Sequence, residues 1–214
     1  MEGPQLVVYA GGMVGGKTGQ AVLEMQRIQA GTQYPVKVFQ PKNAIRQGID
    51  EGQGMLVSRS GPRINAILVA ENNPREIVQN ITRPDLFVLI DEAHMFTDPK
   101  GLKGVIEDLL DQRRIVHVVT LMTDYGARMF PITKYLLGRA SQIHVHNGFC
   151  SEPGCTRPGN HSQLFRKGVI APYEGGKLFT GDIQEGELQY KPRCLLHFEM
   201  PSNAVGYQEE VIRL

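Results

Sequence analysis

Excess charge of either sign is missing from this sequence. Lys and Arg total 23 against 22 Asp and Glu, a net charge of +1 at pH 7. A chain that wraps nucleic acid needs a basic face to displace counterions, and this balance leaves no such footprint, so no direct nucleic-acid binding is expected. Long apolar runs are also missing: none approaches the ~20 residues of a membrane span. Met1-Glu2-Gly3-Pro4 leads straight into the first apolar run, which leaves no room for a signal peptide. Cysteine is scarce, three in the chain. Without a secretory signal, that points to a reducing compartment and away from a disulfide framework, so a cytoplasmic location is expected. Repeats and low-complexity segments are absent too. What remains is 214 residues, enough for one α/β domain with a buried core plus a small appendage.

The most informative segment is Gly11-Gly12-Met13-Val14-Gly15-Gly16-Lys17-Thr18, which follows the apolar run Leu6-Val7-Val8-Tyr9-Ala10 and opens a stretch of helical character. This is the phosphate-cradling pattern in its strand–loop–helix setting. Backbone amides can wrap a phosphate only where no Cβ blocks the approach, and four of the eight loop positions are glycine. The helix expected from about Gly19 to Ala30 points the positive end of its dipole at the anion. Lys17 would neutralise the β and γ phosphates of ATP, and the Thr18 hydroxyl would ligate Mg²⁺. The competing reading is a glycine-rich turn that binds nothing.

Downstream, Val36-Lys37-Val38-Phe39 reads as a second strand closed by Pro41. Residues 42 to 63 are polar and aperiodic, the mark of a functional loop. Ile64 to Val69 suggests a short strand and Pro74 to Asn80 a helix. Leu86-Phe87-Val88-Leu89-Ile90 is apolar throughout, as a strand buried on both faces should be. Leu102, Val105, Ile106, Leu109 and Leu110 recur at helical spacing, and Ile115 to Val119 is the next strand. The alternation predicts an α/β fold: a P-loop NTPase (RecA-like) parallel sheet flanked by helices. Near Cys150 the long apolar runs stop and Gly, Pro, Cys and His become frequent. We therefore expect a P-loop domain over residues 1–147 and a small second domain over 148–214, which the Cys and His spacing and the family resemblance given below make a zinc-binding lid.

Asp91-Glu92 stands at the carboxyl end of the buried strand, where open α/β sheets bind ligands. In a P-loop fold an aspartate here orders the Mg²⁺ that Thr18 also holds, and Glu92 is then the nearest candidate base. The alternative is a helix-capping Asp beside a solvated Glu. Asp91-Glu92-Ala93-His94 also spells a helicase tetrapeptide, but that reading needs a second motor domain and basic grooves. His94 is read as a residue behind the site or on the surface. Cys150-x4-Cys155 and Cys194-x2-His197 supply three thiolates and one imidazole at chelating spacings, which predicts a closed, structural Zn²⁺ site. The competing reading is three unrelated buried thiols. His144, His146 and His161 have no partner cysteine at such spacing and are read as surface or packing residues.

In combination, these motifs resemble the type II thymidine kinases from about Gly11 to His197. The loop is similar to that family's Gly-Pro-Met-Phe-Ser-Gly-Lys-Ser, the Pro41-Lys42 to Arg46 segment resembles its arginine-bearing loop, and Ser58-Arg59-Ser60-Gly61 its following Ser-rich stretch. Leu121-Met122-Thr123-Asp124-Tyr125-Gly126 looks like the bacterial Leu-Arg-Thr-Asp-Phe-Arg segment. Tyr190, four residues before Cys194, resembles the family's lid tyrosine, and the Cys-x-x-His ending its bacterial branch.

The resemblance implies transfer of the γ-phosphate of ATP to the 5′-hydroxyl of thymidine or a related pyrimidine deoxynucleoside. It implies Glu92 as base, Arg46 as stabiliser of the transferring phosphoryl group, and Thr18 and Asp91 as organisers of Mg²⁺. Tyr125 would pack against the base, Met13, Leu121 and Tyr190 would line its pocket, and Ser162 would stand in for a lid threonine. A homo-oligomer, tetrameric in the family, and feedback inhibition by a triphosphate are implied likewise. The departures gather at the substrate end. The family's Asp-Glu-x-Gln-Phe-Phe reads Asp91-Glu92-Ala93-His94-Met95-Phe96, and its paired lid glycines read Glu185-Gly186. Asn43 stands near a usual Asp, and the first cysteine pair is two residues wider. These departures keep a second reading open, a P-loop ATPase that uses ATP for conformational work.

Overall fold

The computed structural model describes residues 3–44, 54–59, 61–83, 85–175 and 187–204. Its main sheet is formed by β1 (Gln5–Ala10), β2 (Val36–Pro41), β5 (Ile67–Val69), β6 (Phe87–Ile90), β7 (Ile115–Val119) and β8 (Gln142–Val145). Every pairing is parallel, in the order β5-β2-β6-β7-β1-β8. β7 thus lies between the strand that feeds the glycine loop and the strand that ends in Asp91, the RecA-like arrangement expected.

Alternation along the strands builds a core on each face. Leu6, Val8 and Ala10 of β1 point to one side with Val88, Ile90, Val116 and Val118. There they meet α3 (Pro99–Asp111) and α4 (Pro131–Arg139). Val7 and Tyr9 point to the other side, against Ala21, Val22, Met25 and Ile28 of α1 (Lys17–Gly31). α3 buries the five apolar residues that its periodicity singles out, and Asp98 caps it by accepting the Gly101 amide at 2.9 Å.

The described residues of the 42–63 stretch include regular structure that its composition does not suggest. It holds a 3₁₀ turn at Lys42–Ala44, and the strands β3 (Met55–Val57) and β4 (Arg63–Asn65) pair antiparallel. Leu56 and Ile64 of this ribbon are buried against α1, which is why it folds. The strand expected from Ile64 to Val69 is split between β4 and β5 at Ala66, whose amide turns to the Gly54 carbonyl at 2.7 Å. The helix expected over 74–80 contracts to α2 (Glu76–Gln79). α4 and β8 carry no periodic signal, β8 because as an edge strand it is exposed along its whole length.

Beyond β8, the strands are short. β9 (Gly148–Phe149) pairs with β10 (Pro158–Gly159). β11 (His161–Arg166) lies between β12 (Val169–Ile170) and β13 (Leu188–Arg193) in an antiparallel sheet. A third apolar cluster, Tyr125, Leu164, Ala171 and Tyr173, joins this sheet to the main one.

Candidate active site and metal centre

The glycine loop leaves β1 and enters α1 through Gly16, which has a left-handed φ of 78°. No side chain caps this helix start, so its first-turn amides stay open to an anion. Lys17 is buried and its Nζ donates to the Gly12 carbonyl at 2.5 Å. Burial pushes its pKa down, and the charges of Glu92 and Asp91 oppose that shift.

The other glycines of the loop serve a second purpose. A Cβ at Gly11 or Gly15 would collide with the backbone of His146, and one at Gly12 with the Gly159 carbonyl. The Gly12 amide is already held by Asn147 Oδ1 at 2.8 Å. Gly11, Gly12 and Gly15 therefore let the His146–Asn147 and Gly159 backbone press against the loop, while Met13 to Thr18 line the cleft. Asn147 carries no sequence signal, because a lone Asn after an edge strand has neither spacing nor partner to mark it.

Across the cleft, Asp91 is buried and accepts the Thr18 hydroxyl at 3.1 Å. Burial, reinforced by the charge of Glu92, holds its pKa well above the usual carboxylate range. Glu92 adopts φ 48°, a left-handed conformation that a non-glycine residue rarely takes, as the chain turns sharply out of β6. His94 is buried, which excludes the surface reading. Its Nδ1 accepts the Leu121 amide at 3.2 Å, lies 3.5 Å from Glu92 Oε2, and its ring packs on Phe130. Burial lowers its pKa to about 4, with Glu92 opposing, so it is neutral at physiological pH.

The cleft has a volume of about 500 Å³, in the range of small-molecule sites. Met13, Thr18, Asp91, Glu92, Leu121, Tyr125, Ser162 and Tyr190 all line it. Tyr125 is only 1% exposed, with Tyr173 and Tyr190 against its ring at 5.2 and 6.5 Å between centroids. It forms a wall rather than an open stacking platform. Gln40, Asn43, Ser58 and Arg59 also reach the cleft. Arg46, Ser60, Glu185 and Gly186 lie outside the described residues.

Cys150, Cys155, Cys194 and His197 converge, their ligand atoms within 4.8 Å of one another. Cys150 Sγ and Cys194 Sγ lie 3.5 and 3.4 Å from His197 Nδ1, and Cys155 Sγ lies 3.9 Å from Cys194 Sγ. Bonds of about 2.3 Å to sulfur and 2.0 Å to nitrogen in a tetrahedron put such neighbours about 3.8 and 3.5 Å apart. The four residues fit a Zn²⁺ ion. Tight turns present them: Cys155 donates its amide to Glu152 O, and His197 to Cys194 O, both at 3.0 Å. Although burial raises the Cys150 thiol, amide hydrogen bonds from Cys194 and Glu152 bring it to about 6, toward the thiolate a metal requires. His144 is exposed and stacks on Tyr9, His146 lies half-buried, and His161 stacks on Phe198; none joins the cluster.

Known proteins add an independent line. A thymidine kinase of Coprothermobacter proteolyticus is 29% identical over 207 residues, 96% of each chain. One of Thermococcus kodakarensis is 29% identical over 199 residues, 92% of this chain and 94% of its own. Among solved structures, the cytoplasmic domain of the type VII secretion ATPase EccC of Thermomonospora curvata aligns with 89% of this chain and 24% of its own. Its TM-score of 0.40 and 13% identity are too low to bear on function. The family model for thymidine kinase matches residues 4–198, from the start of β1 past the last metal-binding residue, so the chain belongs to the thymidine kinase family.

Proposed function

We propose that this protein is a thymidine kinase that transfers the γ-phosphate of ATP to the 5′-hydroxyl of thymidine or a closely related pyrimidine deoxynucleoside. One observation carries the reading: a single cleft holds the phosphate loop, the Asp91–Glu92 pair and the Leu121–Tyr125–Tyr190 wall. A phosphoryl donor and an acceptor alcohol can therefore meet in it. The family match favours this over an ATPase that performs conformational work.

The open amides at the start of α1 and the Lys17 ammonium bind the phosphates. Thr18 and Asp91 offer hydroxyl and carboxylate oxygens, a donor set that suits Mg²⁺, and the raised pKa of Asp91 marks a carboxylate whose charge a cation would relieve. When bound, Mg²⁺ offsets charge on the phosphate oxygens. Glu92 accepts the proton of the 5′-hydroxyl as that oxygen bonds to the γ-phosphorus and the bond to the bridging oxygen of ADP breaks. Arg46 stabilises the charge on the transferring group. Met13, Leu121, Tyr125, Ser162 and Tyr190 enclose the nucleoside. Residues 1–147 form the catalytic unit and 148–214 the lid, whose zinc ion ties two distant stretches of chain together. A cytoplasmic homo-oligomer, a tetramer by the resemblance described above, completes the reading.

A panel of nucleosides with ATP and Mg²⁺, scored for monophosphate and for nucleoside-independent hydrolysis, tests it. Thymidine monophosphate should form, and Lys17→Ala should abolish it in a folded protein. Steady ATP hydrolysis with no nucleotide product from any pyrimidine deoxynucleoside would refute the proposal.

A further inference from the structure

Two short segments far apart in sequence, Asp124–Tyr125 beside the cleft and Tyr173–Glu174, exchange hydrogen bonds. The Tyr173 hydroxyl donates to Asp124 Oδ2 at 2.7 Å, and the Glu174 amide donates to the Tyr125 hydroxyl at 2.7 Å. Asp124 is itself fixed, because its Oδ1 accepts the amides of Gly126 and Arg128, both at 2.9 Å. The Tyr173 ring packs on Tyr125, and the Arg128 guanidinium lies 4.7 Å above it. Gly126 permits this closeness, since a Cβ there would strike the Tyr173 ring. Asp124, Tyr125 and Tyr173 are all buried.

We propose that Asp124 and Tyr173 form a clasp that positions the nucleoside-side wall of the cleft, making both positioning residues for nucleoside binding. The inference rests on the kinase reading above and adds Asp124, at the cleft lining, and Tyr173, which reaches the cleft through it.

The geometry explains why such a clasp is needed. Tyr125 follows β7 on the main sheet, whereas Tyr190 and Ser162 belong to the antiparallel sheet. A wall built from two sheets keeps its shape only if they are tied together. The apolar cluster of Tyr125, Leu164, Ala171 and Tyr173 supplies area without direction, and the crossed hydrogen bonds supply direction. The clasp's hydrogen bonds join Asp124, Tyr125, Gly126, Arg128, Tyr173 and Glu174 and none of them ends on Lys17 or Thr18, so the two substrates should feel its loss differently.

Tyr173→Phe removes the hydroxyl and leaves a buried carboxylate oxygen without its donor. Steady-state kinetics should show the thymidine KM rising about tenfold, the effect of losing one such bond, with the ATP KM within about twofold of wild type. Asp124→Asn keeps the carbonyl on the two amides and offers its NH₂ to the Tyr173 hydroxyl, so it should rescue, with a thymidine KM within about threefold of wild type. If Tyr173→Phe does not fold, Gly126→Ala displaces the same ring and should give the same split. An unchanged thymidine KM, or equal rises in both KM values, in the folded variant would overturn the clasp. A wild-type protein that phosphorylates no nucleoside would instead overturn the functional reading, and the clasp's role with it.

Discussion

Glu92 and His94 occupy the same sharp turn and make separable predictions. Glu92→Gln keeps the shape of the side chain but cannot accept the hydroxyl proton. Its loss should appear in kcat, by about 10²-fold or more, with little change in the ATP KM. Initial-rate kinetics measures both, and an unchanged kcat would remove Glu92 from the chemistry. His94 is a matter of stability. It is neutral in the fold, with a pKa of about 4, and ordinary in the unfolded chain. The unfolded state therefore takes up a proton first as pH falls, and stability present above pH ~6.5 is lost progressively down to about 4. His117, buried in β7 and hydrogen-bonded to Tyr9, is depressed to about 4 by burial and adds to the same slope. His94→Gln has no proton to gain. Its melting temperature should fall less steeply than the wild type's between pH 6.5 and 4, which calorimetry across that range would check. A neutral His94 was not legible beforehand, because burial in the fold decides its state against the opposing charge of Glu92 two residues away.

At the scale of elements, the glycine loop packs directly against the His146–Asn147 backbone. The sequence pattern assigns the loop glycines to phosphate approach, but the structure has Gly11 and Gly15 pressed on the His146 backbone. Gly15→Ala should therefore destabilise the protein even without nucleotide, by about 1–3 kcal/mol, as overpacking does, and thermal melting of the free protein measures it. A free-protein melting temperature equal to wild type would return Gly15 to a purely phosphate-facing role. α3 was readable in advance from its helical periodicity and β6 from its unbroken apolar run, both local features. β3 was not, since its three apolar residues gain meaning only against α1, and β4 was expected only as the start of the Ile64–Val69 strand.

At the scale of the whole molecule, the antiparallel sheet and metal cluster contrast with the parallel sheet. The main sheet has two apolar faces to bury, whereas among the described residues the strands past β8 have one small cluster. Metal binding should carry much of the stability there. Purified protein should contain about one Zn²⁺ per chain, and Cys155→Ser should release it. The variant should loosen the C-terminal part while ATP still binds the phosphate loop. Elemental analysis, with nucleotide binding followed in parallel, checks both; metal-free protein with three free thiols would refute the site.

The residues alone determined the α/β class, the phosphate loop, the acidic pair and the four metal-binding side chains, because each depends on spacing along the chain. Periodicity and short motifs are local, and local geometry is written in order. Only the tertiary structure decided that Asn147 holds the loop, that His94 is neutral, and that Tyr125 is a buried wall tied to Glu174. Those facts come from groups brought together across the fold, where burial and the positions of donors and acceptors are set by packing rather than by sequence distance.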